Sequence, residues 1–233
     1  MTTTTGTPAP PPPATPAAPP AVVVLDPGHN GGNAAHPAVV NAPVPDGAGG
    51  TKPCNTTGTS TNAGYPEHAF TWDVALRTRD LLTAAGVQVV LSRQDDAGVG
   101  PCVDARGALG GQVGAAAFVG IHGDGAGAGQ RGFHVITSSL DPAGPQVAAA
   151  SGTLATRLRD ALVAVEPVSD YVGSGGLDDR PDLAGLNLST VPAVYVECGN
   201  MRDATDAAWM SSPDGRQALA AQVTAGVLAF LGR

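Results

Sequence analysis

The sequence predicts a single α/β domain, a layered and mostly parallel sheet flanked by helices. Short, nearly continuous apolar runs alternate with longer stretches in which apolar residues recur every three to four positions. Continuous apolar runs are typical of strands buried on both faces of a parallel sheet, and the longer period is typical of helices packed against it. Strands that alternate with helices form βαβ units and hence a layered sheet. We find no internal repeat and no second domain.

Five segments are predicted as strands and three as helices. Apolar runs at 22–25, 87–91, 116–121 and 193–197 predict buried strands, and the more alternating run 132–137 predicts a strand nearer the sheet edge. One helix is predicted over 67–85, where Gly86 provides a C-terminal stop. The apolar positions that predict the helices are Phe70, Val74 and Leu81 in the first, Leu154, Leu158 and Leu162 in the second, and Leu219, Val223, Val227 and Phe230 in the last.

Composition limits the classes of protein that the chain can belong to. The 233 residues are 42% hydrophobic, which is enough for the core of one domain. A net charge of −8 argues against binding to nucleic acid or to anionic membrane surfaces. No apolar run approaches the about 18–20 residues of a membrane span. We therefore expect no nucleic-acid partner and no transmembrane segment.

Residues 1–20, "MTTTTGTPAPPPPATPAAPP", carry no charge and consist mainly of Thr, Pro and Ala. Such a segment cannot bury apolar area, so it is predicted to be a disordered leader ahead of a folded domain at 21–233. Stalks of this kind often follow the signal cleavage point of exported bacterial proteins. We therefore expect a protein of the periplasm, the cell wall or the extracellular space, although an ordinary disordered N-terminus is the alternative.

Two loops carry cysteines. Residues 33–64 form a long insertion rich in Pro, Gly, Asn and Thr, and loops of this length are usually functional or disordered. It contains Cys54, while Cys102 lies in a second loop, and neither has metal-type spacing. In an exported protein the two are expected to form a disulfide, with two surface thiols as the alternative. Cys198 is expected to be buried and free, and a nucleophilic role for it is the weaker interpretation.

Polar side chains end three of the predicted strands. "VVVLDPGH" delivers His29 to a strand tip, "AAAFVGIHG" does the same for His122, and "PAVYVECG" ends at Glu197. Ligands of open α/β sheets gather outside the carboxyl ends of the strands. Each residue also has an ordinary explanation, as a turn or core histidine or as a glutamate paired with an arginine. Their common position nevertheless predicts a site at this edge.

A second glutamate joins this group. Glu67 opens the first predicted helix on the face that carries Phe70 and Val74, where a carboxylate needs compensation by a cation or by hydrogen-bond donors. The alternative is a first-turn glutamate favoured by the helix dipole. Two histidines and one carboxylate are the ligand set of a catalytic zinc site that leaves a fourth position for water. The remaining glutamate would then be the general base.

Three other signals are set aside. Gly127, Gly129 and Gly132 match the dinucleotide fingerprint G-x-G-x-x-G but precede a strand rather than a helix, so no nucleotide cofactor is expected. His36 and His68 are near enough in sequence to compete as metal ligands. His68 points about 100° away from Glu67 on the helix and is left out.

The motifs resemble those of the zinc-dependent N-acetylmuramoyl-L-alanine amidases, and among them most closely the single-domain mycobacterial members. The resemblance covers about residues 22–230 and implies a phosphorylase/hydrolase-like fold. It implies that His29, Glu67 and His122 bind one zinc ion per chain and that Glu197 transfers the protons. It also implies cleavage of the amide bond between N-acetylmuramic acid and L-alanine, with peptidoglycan fragments (muropeptides) as the partners of a monomeric enzyme. The motifs that carry it are "DPGH", "GYPEHAFTWDVALRTRDLL", "FVGIHGDGA" and "TVPAVYVECGNM".

Two alternatives stay open. The residues alone predict only metal-assisted amide hydrolysis, so a zinc carboxypeptidase or a peptidoglycan peptidase is an alternative enzyme. A catalytically inactive wall-binding module is an alternative of another class. The presence of Glu197 beside the three ligands favours an enzyme, because binding alone does not need a base.

Overall fold

The computed structural model describes residues 19–233, and a mixed six-stranded sheet with the strand order β4-β1-β5-β8-β6-β7 lies at its centre. Its strands pair in parallel except β6 and β8, which are antiparallel. A separate hairpin is formed by β2 and β3. The strands are β1 Val22–Pro27, β2 Pro43–Pro45, β3 Thr51–Pro53, β4 Gln88–Leu91, β5 Ala117–Asp124, β6 His134–Ser138, β7 Leu177–Arg180 and β8 Ala193–Asn200.

Helices cover both faces of the sheet. The long helices α2, α4 and α7 bury their apolar faces against one side in the larger core cluster, and α3 and α5 pack near the smaller cluster on the other side. Gly86 follows the end of α2 with φ +78°, a conformation that suits glycine and ends the helix as predicted. The helices are α1 Pro37–Val40, α2 Glu67–Ala84, α3 Val103–Gln112, α4 Pro145–Leu162, α5 Ala184–Asn187, α6 Ala204–Ser211 and α7 Pro213–Phe230.

The predicted fold class is confirmed, and some of its elements differ from the prediction. The segment 87–91 is predicted to be a buried strand, but β4 lies at one edge of the sheet and none of its four residues is buried. The strand predicted nearer the edge, β6, lies next to the opposite edge strand, β7. β7 has the sequence LDDR, too short and too polar to be recognised as an apolar run. Sequence patterning also missed α3, whose sequence VDARGALGGQ contains three glycines that weaken a helical pattern.

The insertion at 33–64 is folded in this structure. It contains a 3₁₀ turn at Asn33–Ala35, α1 and the β2–β3 hairpin. Cys54 and Cys102 form the expected disulfide across a sequence separation of 48 residues, and Cys198 is buried and free. The insertion is therefore covalently attached to the start of α3.

Two further expectations concern the leader and membrane-spanning segments. The leader predicted at 1–20 lies outside the described residues except for its last two positions. Within the described part, no helix is long and apolar enough to cross a membrane.

The carboxyl ends of β1, β5 and β8 lie side by side and position the candidate site. Register pairs Pro27 of β1 with Ile121 of β5, one residue before His122. His122 in turn pairs directly with Glu197 of β8. The first residue of α2 is Glu67, so the start of this helix is brought to the same edge.

Candidate metal centre

The structure brings three of the predicted site residues into one group. One donor atom from each of His29, Glu67 and His122 can be chosen so that all lie within 4.8 Å of one another. Glu67 Oε1 is 3.1 Å from His29 Nε2 and 3.1 Å from His122 Nδ1. The carboxylate thus lies between the two imidazoles.

His29 is held in an uncommon backbone conformation by the turn after β1. Its φ of +60° lies in the left-handed region, which a residue other than glycine adopts only where its surroundings impose it. Its Nδ1 is 3.2 Å from the Thr56 carbonyl oxygen and 3.1 Å from Thr56 Oγ1. With Nδ1 engaged by the insertion, Nε2 is the nitrogen presented to Glu67.

A buried ion pair lies beneath this turn. Arg106 of α3 donates to Asp26 Oδ1 at 2.7 Å and to the carbonyl oxygens of Pro27 at 2.9 Å and His29 at 3.0 Å. Burial alone would raise the pKa of Asp26, but the charge of Arg106 and a hydrogen bond from Ser92 outweigh it and lower that pKa. Arg93 also donates to the Pro27 carbonyl oxygen, at 3.0 Å, so two guanidinium groups hold the backbone that presents His29.

Glu67 is buried, with only 3% of its surface exposed, and its carboxylate is well compensated. Oε2 accepts a hydrogen bond from the Thr59 N–H at 2.9 Å, and Oε1 accepts one from the Gly123 N–H at 3.1 Å. Burial would raise the pKa of Glu67, yet the charge of His29 and the hydrogen bonds of both histidines lower it. Glu67 is therefore ionised, as a metal ligand must be.

His122 packs against a position that only glycine can occupy. A Cβ atom on Gly28 would lie 2.3 Å from His122 Cε1, inside any permitted contact distance. The ring of Tyr195 also packs against His122, with 4.8 Å between ring centroids. The glycine of the "DPGH" motif thus provides the space for the second histidine of the group.

The chemistry of these donors fits a zinc ion. Two imidazole nitrogens and one carboxylate are a ligand set of catalytic zinc, with a further position left open. The hydrogen bonds to His29 and Glu67 also match the outer contacts that orient metal ligands. The residues present therefore suit the metal that the sequence predicts.

Glu197 lies next to this group but in a different environment. It lines the same cavity of about 300 Å³ as the three predicted ligands. Its Oε2 is buried and has no hydrogen-bond partner among the described residues. Burial, followed by the nearby charges of Glu67 and Asp124, raises the pKa of Glu197 well above its ordinary value, and the charge of Arg180 opposes this only in part.

The histidines that competed in sequence lie elsewhere. His36 is exposed, and His68 Nδ1 pairs with Asp96 Oδ2 at 2.8 Å, outside the donor group. Sequence reasoning missed Thr56 and Arg106 as supports of the site. Neither lies in a periodic pattern, and both reach His29 only through long-range folding of the insertion and of α3.

Comparison with known proteins places these features in context. A family model described as N-acetylmuramoyl-L-alanine amidase matches residues 23–229. The chain is 47% identical over 211 residues to an N-acetylmuramoyl-L-alanine amidase of Mycobacterium tuberculosis, covering 90% of this chain and 86% of that one.

Solved structures give a similar result. The crystal structure of the N-acetylmuramyl-L-alanine amidase Ami1 from Mycobacterium smegmatis matches with a TM-score of 0.87 and 48% identity over 91% of this chain and 97% of that one. The apo form of Ami1 from Mycobacterium abscessus matches with a TM-score of 0.86 and 46% identity over 91% and 98% of the two chains.

Proposed function

The chain belongs to the N-acetylmuramoyl-L-alanine amidase family, and from this premise we propose a zinc-dependent hydrolase in which Glu197 transfers protons beside a His29–Glu67–His122 metal site. Its reaction is hydrolysis of the amide bond between N-acetylmuramic acid and L-alanine in peptidoglycan or its fragments. The observation that carries the assignment of residues is the single cavity lined by the donor group and by Glu197.

The three donors have the properties that a zinc site needs. His29 presents Nε2, because its Nδ1 is engaged by Thr56. Glu67 is kept ionised by its neighbours and is oriented by two backbone N–H donors. When bound, zinc lowers the pKa of a water molecule towards ~7 and polarises the carbonyl of the substrate amide.

Glu197 has the position and the environment of the general base. It leaves a strand tip beside the donor group and faces the cavity in which the amide must lie. Burial raises its pKa, so the carboxylate binds a proton more tightly than an exposed glutamate does. It can therefore take a proton from the attacking water and give it to the leaving amine of L-alanine.

The rest of the cavity suits a junction between sugar and peptide. Hydrogen-bonding groups are contributed by Asn55, Thr56 and Asp124, and apolar surface by Val103 and Leu183. Amide and hydroxyl groups of a muropeptide can pair with the first set, while methyl groups of the lactyl and alanyl units can pack against the second. We propose muropeptides as its substrates on this basis.

We further propose that the protein acts outside the cytoplasm as a monomer. The disulfide between Cys54 and Cys102 supports an oxidising compartment, where such bonds form and persist. Peptidoglycan also lies there. Size-exclusion chromatography with light scattering of the oxidised protein tests the monomer.

The proposed function is tested with a defined muropeptide that carries N-acetylmuramic acid and a stem peptide. Purified protein is incubated with it in three samples: untreated, treated with a chelator, and treated and then supplied with zinc. Mass spectrometry should find the free sugar and an intact stem peptide in the first and third samples only. Shortened peptides still attached to the sugar would indicate a peptidase, and no product in any sample would indicate a binding module.

A further inference from the structure

A third histidine lies in line with the site on the same face of the sheet. Register pairs Glu197 of β8 with His122 of β5 on one side and with His134 of β6 on the other. Residues directly opposite each other on paired strands point to the same face, with Cβ atoms about 4.5–5.5 Å apart. His134 is thus the immediate neighbour of Glu197 on the side away from the metal group.

His134 and Glu197 each leave a buried polar atom without a partner. His134 is only 2% exposed, and its Nδ1 has no hydrogen bond within the described part of the chain. The same is true of Glu197 Oε2. Buried polar atoms in folded proteins are almost always paired, so two such atoms on adjacent side chains indicate a common explanation.

We propose that His134 is a positioning residue for Glu197, and that its Nδ1–H holds Oε2 of the carboxylate through one buried water, or directly after a small rotation of the side chains. The proposal rests on the proposed function, since it assigns Glu197 the proton transfers. It leaves Oε1 as the oxygen that faces the cavity and the substrate.

The chemistry of the two groups is complementary. An ionised carboxylate only accepts hydrogen bonds, and a neutral imidazole can donate one from Nδ1. Burial lowers the pKa of His134, so the ring is neutral and donates without adding a charge beside the metal group. Fixing one carboxylate oxygen restricts the rotation of Glu197, and a hydrogen bond to the ionised form offsets part of the effect of burial.

Tyr171 packs against His134, and Arg180, which could also donate to Glu197, is paired with another carboxylate. The ring of Tyr171 meets that of His134 edge-on, with centroids 6.2 Å apart, while its hydroxyl donates to Asp124 Oδ2 at 2.8 Å. The charge of Arg180 opposes the raised pKa of Glu197, but the Nε and Nη2 of Arg180 both donate to Asp182, at 2.9 and 2.7 Å. His134 is therefore the neutral donor best placed for Oε2.

The first test compares three variants of His134 by kcat, KM and zinc content on the defined muropeptide. His134→Leu removes both nitrogens, His134→Asn places an amide near the position of Nδ1, and His134→Gln places one near Nε2. His36→Asn, at an exposed histidine, is the matched control.

We expect His134→Leu to lower kcat by about 10-fold or more, as loss of an outer partner of a catalytic group typically does. KM should change less than about twofold and zinc content should stay at wild type, because the lost contact is to Glu197 and not to substrate or ligands. His134→Asn should recover more kcat than His134→Gln. If His134→Leu fails to fold, the Asn and Gln pair carries the comparison.

Equal kcat for all three variants and the wild type would overturn the positioning role. So would a loss of kcat that Asn restores no better than Gln. A wild-type enzyme that leaves the lactyl–alanine bond intact would instead overturn the proposed function, and the role of His134 with it.

A second readout does not depend on turnover. Nitrogen-15 NMR of the full chain should find His134 as the neutral tautomer protonated at Nδ1, and Glu197→Gln should shift that nitrogen because its acceptor changes from carboxylate to amide. A ring protonated at Nε2 alone, with a signal unchanged by Glu197→Gln, would contradict the inference.

Discussion

Two glutamates at the same sheet edge occupy opposite environments. Glu67 accepts two backbone hydrogen bonds and lies between two histidines, and these neighbours lower its pKa although it is buried. Glu197 has a buried oxygen without a partner, and burial together with nearby carboxylates raises its pKa. Burial alone therefore does not decide the role of a carboxylate. Its neighbours decide whether it is kept as a charged ligand or held ready to take a proton.

The two regions also differ in how the chain builds them. The Glu67 region depends on distant segments, since Thr56 and Thr59 come from the insertion that the disulfide attaches to α3. The Glu197 region is built from adjacent strands, through the register that pairs β8 with β5 and β6. Perturbing the insertion should therefore affect Glu67, the proposed ligand, before it affects Glu197, the proposed base.

Removing the carboxylate of the proposed ligand Glu67 should have the largest effect. Glu67→Ala leaves only two donors, too few for tight zinc binding, and it leaves His29 and His122 without their common partner. Zinc content should fall from about one equivalent to near zero and activity should be lost with it. Elemental analysis beside the muropeptide assay measures both. Full zinc occupancy in this variant would break the assignment of Glu67.

Removing the guanidinium beneath the His29 turn should destabilise the fold strongly. Arg106→Met leaves the buried Asp26 carboxylate without its cation and with only the hydrogen bond from Ser92, and loss of one partner of a buried pair costs about 3–5 kcal/mol. Urea unfolding measures the change in the free energy of unfolding. Arg79→Met is the control, because its pair with Asp80 is exposed and is expected to contribute less than about 1 kcal/mol. Equal effects of the two substitutions would contradict the role given to Arg106.

Removing the disulfide should affect the Glu67 region, which depends on the insertion. The double substitution Cys54→Ala with Cys102→Ala should lower the free energy of unfolding by about 2–4 kcal/mol. It should also weaken zinc binding, because Thr56 and Thr59 lie in the segment that the bridge anchors. Urea unfolding and zinc titration of the same samples test this. Unchanged zinc affinity would mean that the insertion holds the Glu67 region without the bridge.

Glu166 is a third carboxyl group with a shifted pKa, and its substitution is expected to have the smallest effect of this series. Burial and the charge of Asp206 raise the pKa of Glu166 from 4.5 to about 7, although Arg131 opposes them. The folded state therefore binds this proton more tightly than the unfolded state does. Its contribution to stability is complete below pH 4.5 and is lost as the pH rises through about 7.

Glu166→Gln should flatten this pH dependence of the unfolding free energy between pH 4.5 and 7.5 and leave kcat unchanged, because Glu166 does not line the cavity. Urea unfolding at several pH values measures it. A loss of kcat would contradict this expectation, because a carboxyl group outside the cavity would then affect turnover.

Much of the candidate site could be predicted from the sequence because the positions of its residues depend on local patterns. His29, His122 and Glu197 each end an apolar run, and the helical period places Glu67 on the buried face of α2. The supports of the site could not be predicted in this way. Thr56 lies in a segment without periodicity, and the place of His134 beside Glu197 depends on a strand register that no local pattern specifies. The same limit applies to β7, which is short and polar.

The proposed division of roles, with Glu67 as metal ligand and Glu197 as general base, is tested most directly by the zinc content and turnover of Glu197→Gln. Both are measured on one preparation. The substitution keeps the shape of the side chain and removes its basicity. The account predicts about one equivalent of zinc, as in the wild type, with turnover of the defined muropeptide lower by ~10²-fold or more. An empty metal site in Glu197→Gln, or turnover equal to that of the wild type, would contradict it.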